Sequence, residues 1–155
     1  MTIAAPIWFR PTTVAELSQL TAGTMVDHLG IRFLEIGPDF VKASMPVDHR
    51  TQQNMGILHG GASVTLAETL GSIGANLCID MSQRACVGQE INANHVRPVT
   101  SGEVIGTARA LHIGQRSQVW QIEIRDSSGN LVCVSRITMA TIERNSRSKL
   151  TRKEP

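Results

Sequence analysis

The chain has 155 residues, of which 41% are hydrophobic and 18% charged, with a formal net charge of +2. That length suits one domain with enough core to need neither a disulfide nor a metal staple. Aromatic residues are 3% of the chain, with no tyrosine, which argues against a single-stranded nucleic-acid platform of stacked rings.

The opening "MTIAAPIWFRP" has a short apolar run without a basic stretch before it, and Pro6 and Pro11 interrupt it. It does not read as a signal peptide. Residues 12–29 read as short helices, with Thr12 or Thr13 as a cap and Glu16 completing a capping box. "IRFLEIGPDFVKASMPV" reads as a hairpin: Val41, Ala43 and Met45 alternate with Phe40, Lys42 and Ser44, and "GPD" is turn chemistry. Residues 48–58 form a loop.

Residues 60–79, opening "GGASVTLAETLGSIGANL", are predicted as one long helix that is apolar all round and so needs covering all round. Four strands follow, at 85–96, 102–113, 117–126 and 131–142. In the third of these, Trp120, Ile122 and Ile124 face one way and Gln121, Glu123 and Arg125 the other. "HIGQR" and "SSGN" read as hairpin turns. The tally is an α+β layer fold: a curved antiparallel sheet of about six strands wrapped round one helix. A single domain is expected over residues 1–143. Residues 144–155 form a polar basic tail expected to be disordered, and most such tails are simply solvated. No run is long enough to span a membrane. Cys78, Cys86 and Cys133 have no metal-ligand spacing; free thiols fit a reducing cytoplasm.

Glu68 is the lone acid of the helix. A carboxylate in apolar surroundings must pair or protonate, or else face solvent at the helix edge. Ser72 lies one turn on, on the same face, so the alternative to a structural acid is a reactive carboxylate beside a hydroxyl that can hold a water. Gly60 and Gly61 free the backbone for close approach at the helix start, where first-turn amides can bind an anion. Gln53 and His59 flank the loop leading there. Asn92, Asn94 and His95 sit on an amide-rich strand read as a subunit contact. No nucleophile elbow, phosphate loop, dinucleotide fingerprint or metal spacing is present.

The stretches "MPVDHRTQQNMGILHGGASVTLAETLGSIGA", "VGQEINANHVRP", "ALHIGQRSQVWQIEI" and "SRITMA" resemble the hotdog-fold acyl-CoA thioesterases. They are most similar to the branch holding the glutamate-type 4-hydroxybenzoyl-CoA, the 1,4-dihydroxy-2-naphthoyl-CoA and the enterobactin proofreading thioesterases. The match covers about residues 25–142. The resemblance implies hydrolysis of an acyl-CoA or acyl-carrier-protein thioester, with CoA present only as part of the substrate and no metal or other cofactor. It implies a homodimer joined sheet edge to sheet edge, paired again into a tetramer, with sites at the dimer interface. Gln53, His59 and Gly60 would come from one subunit, and Glu68 and Ser72 from the other. Gly60 would give its N–H to the thioester oxygen, Gln53 would orient the thioester or the attacking group, and His59 would support the loop. Asn54 and Met55 stand where the branch often has Pro and Phe, near the expected acyl group, so an acyl group unlike the relatives' aromatic ones fits. Arg97 and Arg116, with His95, are candidates for the nucleotide end of CoA. A hotdog hydratase or dehydratase and a non-catalytic acyl-CoA binder are the alternative readings.

Overall fold

The computed structural model describes residues 5–144; the tail expected to be disordered falls, beyond Arg144, outside them. Two short helices, α1 (Val14–Thr21) and α2 (Met25–His28), precede β1 (Arg32–Ile36) and β2 (Phe40–Pro46). The long helix α3 (Gly60–Leu77) leads into β3 (Arg84–His95), β4 (Glu103–Ile113), β5 (Ser117–Asp126) and β6 (Leu131–Glu143). Thr13 caps α1: its side chain accepts from the Glu16 amide, while its own N–H donates to Glu16 Oε2 at 2.7 Å.

The six strands form one antiparallel sheet in the order β1-β2-β4-β5-β6-β3. It curves round α3, which packs on β2, β3, β4, β5 and β6. Trp120, Ile122, Ile124, Ile137 and Met139 point inward and are fully buried against Leu66, Ala67, Leu70 and Ala75 of the helix. Small residues permit this approach: a side-chain carbon at Gly71 would meet Ile137, and one at Gly74 would meet the Trp120 ring. Two polar side chains buried against the helix, Gln118 and the Trp120 indole, are partnered. Trp120 Nε1 donates to Gln118 Oε1 at 3.0 Å, and Gln118 Nε2 donates to the Ala75 carbonyl at 3.2 Å. Trp8 stacks on Trp120 with ring centroids 6.2 Å apart.

The helix is not covered all round. Val64, Thr65, Glu68, Thr69, Ser72 and Ile73 form a stripe that keeps partial access to solvent. Four of these six side chains carry a hydroxyl or a carboxyl, and they recur at helical spacing. The helix is therefore amphipathic, with a polar stripe that a run of small residues disguises. It also ends earlier than expected, where the Cys78 N–H turns back to the Ala75 carbonyl.

The strand β3 is an edge, twelve residues long and paired only with β6. Its register on β6 slips between Gly88 and Glu90, so Gln89 is the extra residue of a β-bulge.

Candidate active site

Of the hollows along α3, one at its N-terminus and one at its middle hold the expected residues. The first, of about 380 Å³, is lined by Gln53, Gly60, Ser63, His95 and Arg97 among others. The second, of about 440 Å³, is lined by Glu68 and Ser72 with Met25, Val26, Val64 and Ile73. The expected site residues thus fall into two groups in one chain, Gln53 and Gly60 in one hollow and Glu68 and Ser72 in the other. Gly60 and Glu68 are eight residues apart on the same helix, a separation of about 12 Å along its axis.

The loop before α3 is tied back on itself. The Gln53 N–H donates to Ile57 O at 2.9 Å and the Gly56 N–H to Gln53 O at 2.9 Å, with Gly56 in the left-handed region at φ +74°. His59 is the N-cap of α3, and its Nδ1 accepts from the Gly61 amide at 2.8 Å. An accepting Nδ1 puts the ring proton on Nε2. The amides of Ala62 and Ser63 both donate to His59 O, at 2.9 and 3.2 Å. Three of the first-turn donors are therefore used, and the Gly60 N–H is left without a partner among the described residues. It points out of the positive end of an 18-residue helix. A Cβ at Gly60 would lie 2.9 Å from His95 Nε2, so any side chain would require the exposed His95 ring to move.

Glu68 has no hydrogen-bonding or ionic partner among the described residues. Burial pushes its carboxyl up from the ordinary glutamate value. Gly88 makes this position possible, since a Cβ on residue 88 would collide with Glu68 Oε1. The composition of the chain did not reveal Gly88; the signal that could have is a lone glycine inside a strand pattern, which marks a bulge or a close approach. Ser72 lines the same hollow, and its hydroxyl contacts Met139 Sδ at 4.0 Å. Met25 and Val26 of α2 give this hollow an apolar wall that the sequence reading also missed.

The remaining candidates are spread out. His95, expected at the nucleotide end of CoA, lies against Gly60. Asn54 and Met55 sit at the exposed tip of the loop, Met55 at 74% exposure, and line neither hollow. Arg97 is held at one end of β6, its N–H donating to Val132 O at 3.3 Å. Arg116 is at the other end, its carbonyl accepting from the Thr141 N–H at 2.9 Å. Nine residues of strand separate the two, about 30 Å, so one chain does not bring these arginines to one ligand group.

The cysteines offer no competing nucleophile. Burial pushes the Cys78 thiol up to about 12 and raises those of Cys86 and Cys133. Among the described residues, no three His, Cys, Asp or Glu side chains gather as a metal site, and no helix is long and apolar enough to cross a membrane.

Comparison with known proteins finds relatives among thioesterases. Residues 55–133 match the family model described as the thioesterase superfamily. The chain is 52% identical to the 1,4-dihydroxy-2-naphthoyl-CoA hydrolase of Escherichia coli, over 88% of this chain and 99% of that one. It is 47% identical to a proofreading thioesterase of Cronobacter sakazakii, over 88% and 98%. Among solved structures, a mutant thioesterase from Pseudomonas aeruginosa superposes with a TM-score of 0.88 at 44% identity, covering 89% of this chain and 99% of that one. A thioesterase from Haemophilus influenzae does so at 0.86 and 47%, covering 88% and 95%.

Proposed function

The chain belongs to the thioesterase superfamily, and on that premise we propose that two copies build each active site, with Glu68 of one facing the Gly60 amide of the other. Thioester hydrolysis is the reaction. The leaving thiolate, with a pKa near ~8.5, needs little help to depart. The reaction instead needs an activated oxygen nucleophile and a place for the developing oxyanion. The Gly60 N–H supplies the place; losing one such donor typically costs ~10²–10³ in rate. Glu68 supplies the activation, as base toward a water held by Ser72 or by direct attack. Gln53 orients the thioester from the rim of the Gly60 hollow, and His59 holds the helix start in position.

The observation that carries this reading is that the free amide and the unpartnered carboxyl lie on one helix about 12 Å apart, too far for one chain to close a site. The β3 edge supports the two-chain arrangement. Glu68 packs on Gly88, near the middle of that strand, and Gly60 on His95, at its C-terminal end. An antiparallel copy of β3 paired about a two-fold between those positions would bring the Glu68 half beside the partner's Gly60 half. Exposed Val87, Leu111, Ile113 and Ile142 toward the far end of the sheet support a second contact and hence a tetramer. The three free thiols support a reducing, cytoplasmic setting.

The substrate is an acyl-CoA or acyl-carrier-protein thioester whose acyl group lies in the apolar hollow beside Glu68. Arg97, on the rim of the Gly60 hollow, is placed for the phosphate-bearing arm, and Arg116 could reach such an arm only from another subunit. Flexible Met25 in its wall suits acyl groups of different shapes. A thiol-release screen over aromatic, short-chain and long-chain acyl-CoAs tests the reading. Release by the native chain and none by Glu68→Gln is the expected result; equal release by both would remove Glu68 from the chemistry.

A further inference from the structure

The first turn of α3 contains a second polar group that the reaction above does not use. Ser63 is 1% exposed, and the hollow of Gly60, Gln53 and His95 is where it meets open space. A buried hydroxyl on a helix normally bonds to the carbonyl four residues back. Ser18, Thr21 and Thr65 of this chain all do so, at 3.0, 3.0 and 2.9 Å. Ser63 does not. The corresponding carbonyl, His59 O, is engaged by the amides of Ala62 and Ser63, and the Ser63 hydroxyl has no partner among the described residues. The little exposure that Ser63 has lies at this hollow, so its hydroxyl has a hydrogen free for an acceptor that arrives there.

Ser63 lies three residues beyond Gly60, on the same helix face. We propose that the Ser63 hydroxyl is a second donor to the thioester carbonyl oxygen, beside the Gly60 amide. This rests on the reading of the Gly60 hollow as the oxyanion pocket. As the nucleophile adds to the carbonyl carbon, the carbonyl oxygen takes up the electron pair. Ser63 O–H and Gly60 N–H both point their hydrogens at it, and the proton stays on Ser63 Oγ throughout. When the tetrahedral intermediate collapses, the carbon–sulfur bond breaks and the thiolate leaves. A hydroxyl can swing as the oxygen moves out of the carbonyl plane, whereas the Gly60 amide is fixed by the helix.

The test compares Ser63→Ala with the native chain by thiol release, thermal melting and inhibitor binding. Ser63→Ala is expected to melt as the native chain does and to lose ~10²-fold in kcat with little change in KM. Two non-hydrolysable CoA derivatives separate donation from packing. One is a ketone in which difluoromethylene replaces the thioester sulfur, which adds water to give a tetrahedral mimic of the intermediate; the other is a thioether lacking the carbonyl. Ser63→Ala should weaken the ketone by ~10-fold or more and leave the thioether unchanged. Ser63→Cys, close in shape with a poorer donor, should give an intermediate loss. Unchanged kcat in both variants, or equal weakening of both inhibitors, overturns the proposal. If Ser63→Ala is neutral while Glu68→Gln is dead, only the second donor is wrong; if Glu68→Gln also turns over, the reading of the site falls with it.

Discussion

Burial at Glu68 acts on chemistry and on stability in opposite directions. It raises the folded-state pKa above the unfolded value. The stability this group contributes is therefore complete below the unfolded pKa and is lost as pH rises through the folded one. At neutral pH the ionised carboxylate is a cost to the fold, and Glu68→Gln should unfold in urea at a concentration equal to or above that of the native chain. The same substitution should cost ~10³-fold or more in turnover, the scale of a lost general base. A base works only when ionised, so the acid limb of the kcat profile should lie above the ordinary glutamate range. A limb at or below that range would show that the carboxyl is not desolvated in the working enzyme. Gly88 is tested through the same group. Gly88→Ala puts a methyl where Glu68 Oε1 sits, and displacing a catalytic group by about 1 Å can cost ~10²-fold. Its kcat should fall that far while KM holds; an unchanged kcat would mean that the carboxylate does its work from another position.

At the scale of the element, α3 is both the core of the fold and the carrier of both half-sites, so its start matters twice. His59→Ala removes the acceptor of the Gly61 amide and should lower stability by about 1 kcal/mol, the usual value of an N-cap. His59→Asn can cap in the same way and should restore the melting temperature. If Ala and Asn melt alike, His59 is not acting as the cap. The elements were legible in the chain because alternation and turn residues are local. The inward set Trp120, Ile122 and Ile124 and the turn at Gly129 can be read from neighbours alone. The stripe on α3 was not legible, since Thr65, Thr69 and Ser72 are small and scattered among alanines and glycines, so their shared face shows only when the helix is built. Gly88 and Ser63 were missed for a related reason: what makes them special is a contact or an absent bond with residues far away or one turn back, and no composition or spacing encodes it. Glu68, Gly60 and the adjoining His59 stood out because an acid in an apolar run and a Gly-Gly helix start are local anomalies, whereas Gln53 took its role from the resemblance.

At the scale of the whole molecule, the central claim is that the acid and the amide come from different chains. Two inactive variants test it together. Glu68→Gln removes the acid. Gly60→Pro removes the N–H while respecting the helix start, because proline is accepted at the first helical position and His59 before it is extended, at φ −71° and ψ 131°. Its ring also requires the exposed end of His95 to swing aside. Each variant alone should be dead. Refolded together in equal amounts, half of the dimers are mixed, and each mixed dimer regains one intact site of two, so thiol release should recover to about a quarter of the native level. Recovery at that level is the predicted result; a mixture as inactive as its components, with mixed dimers demonstrated by mass, would mean that each chain uses its own acid and would contradict the account.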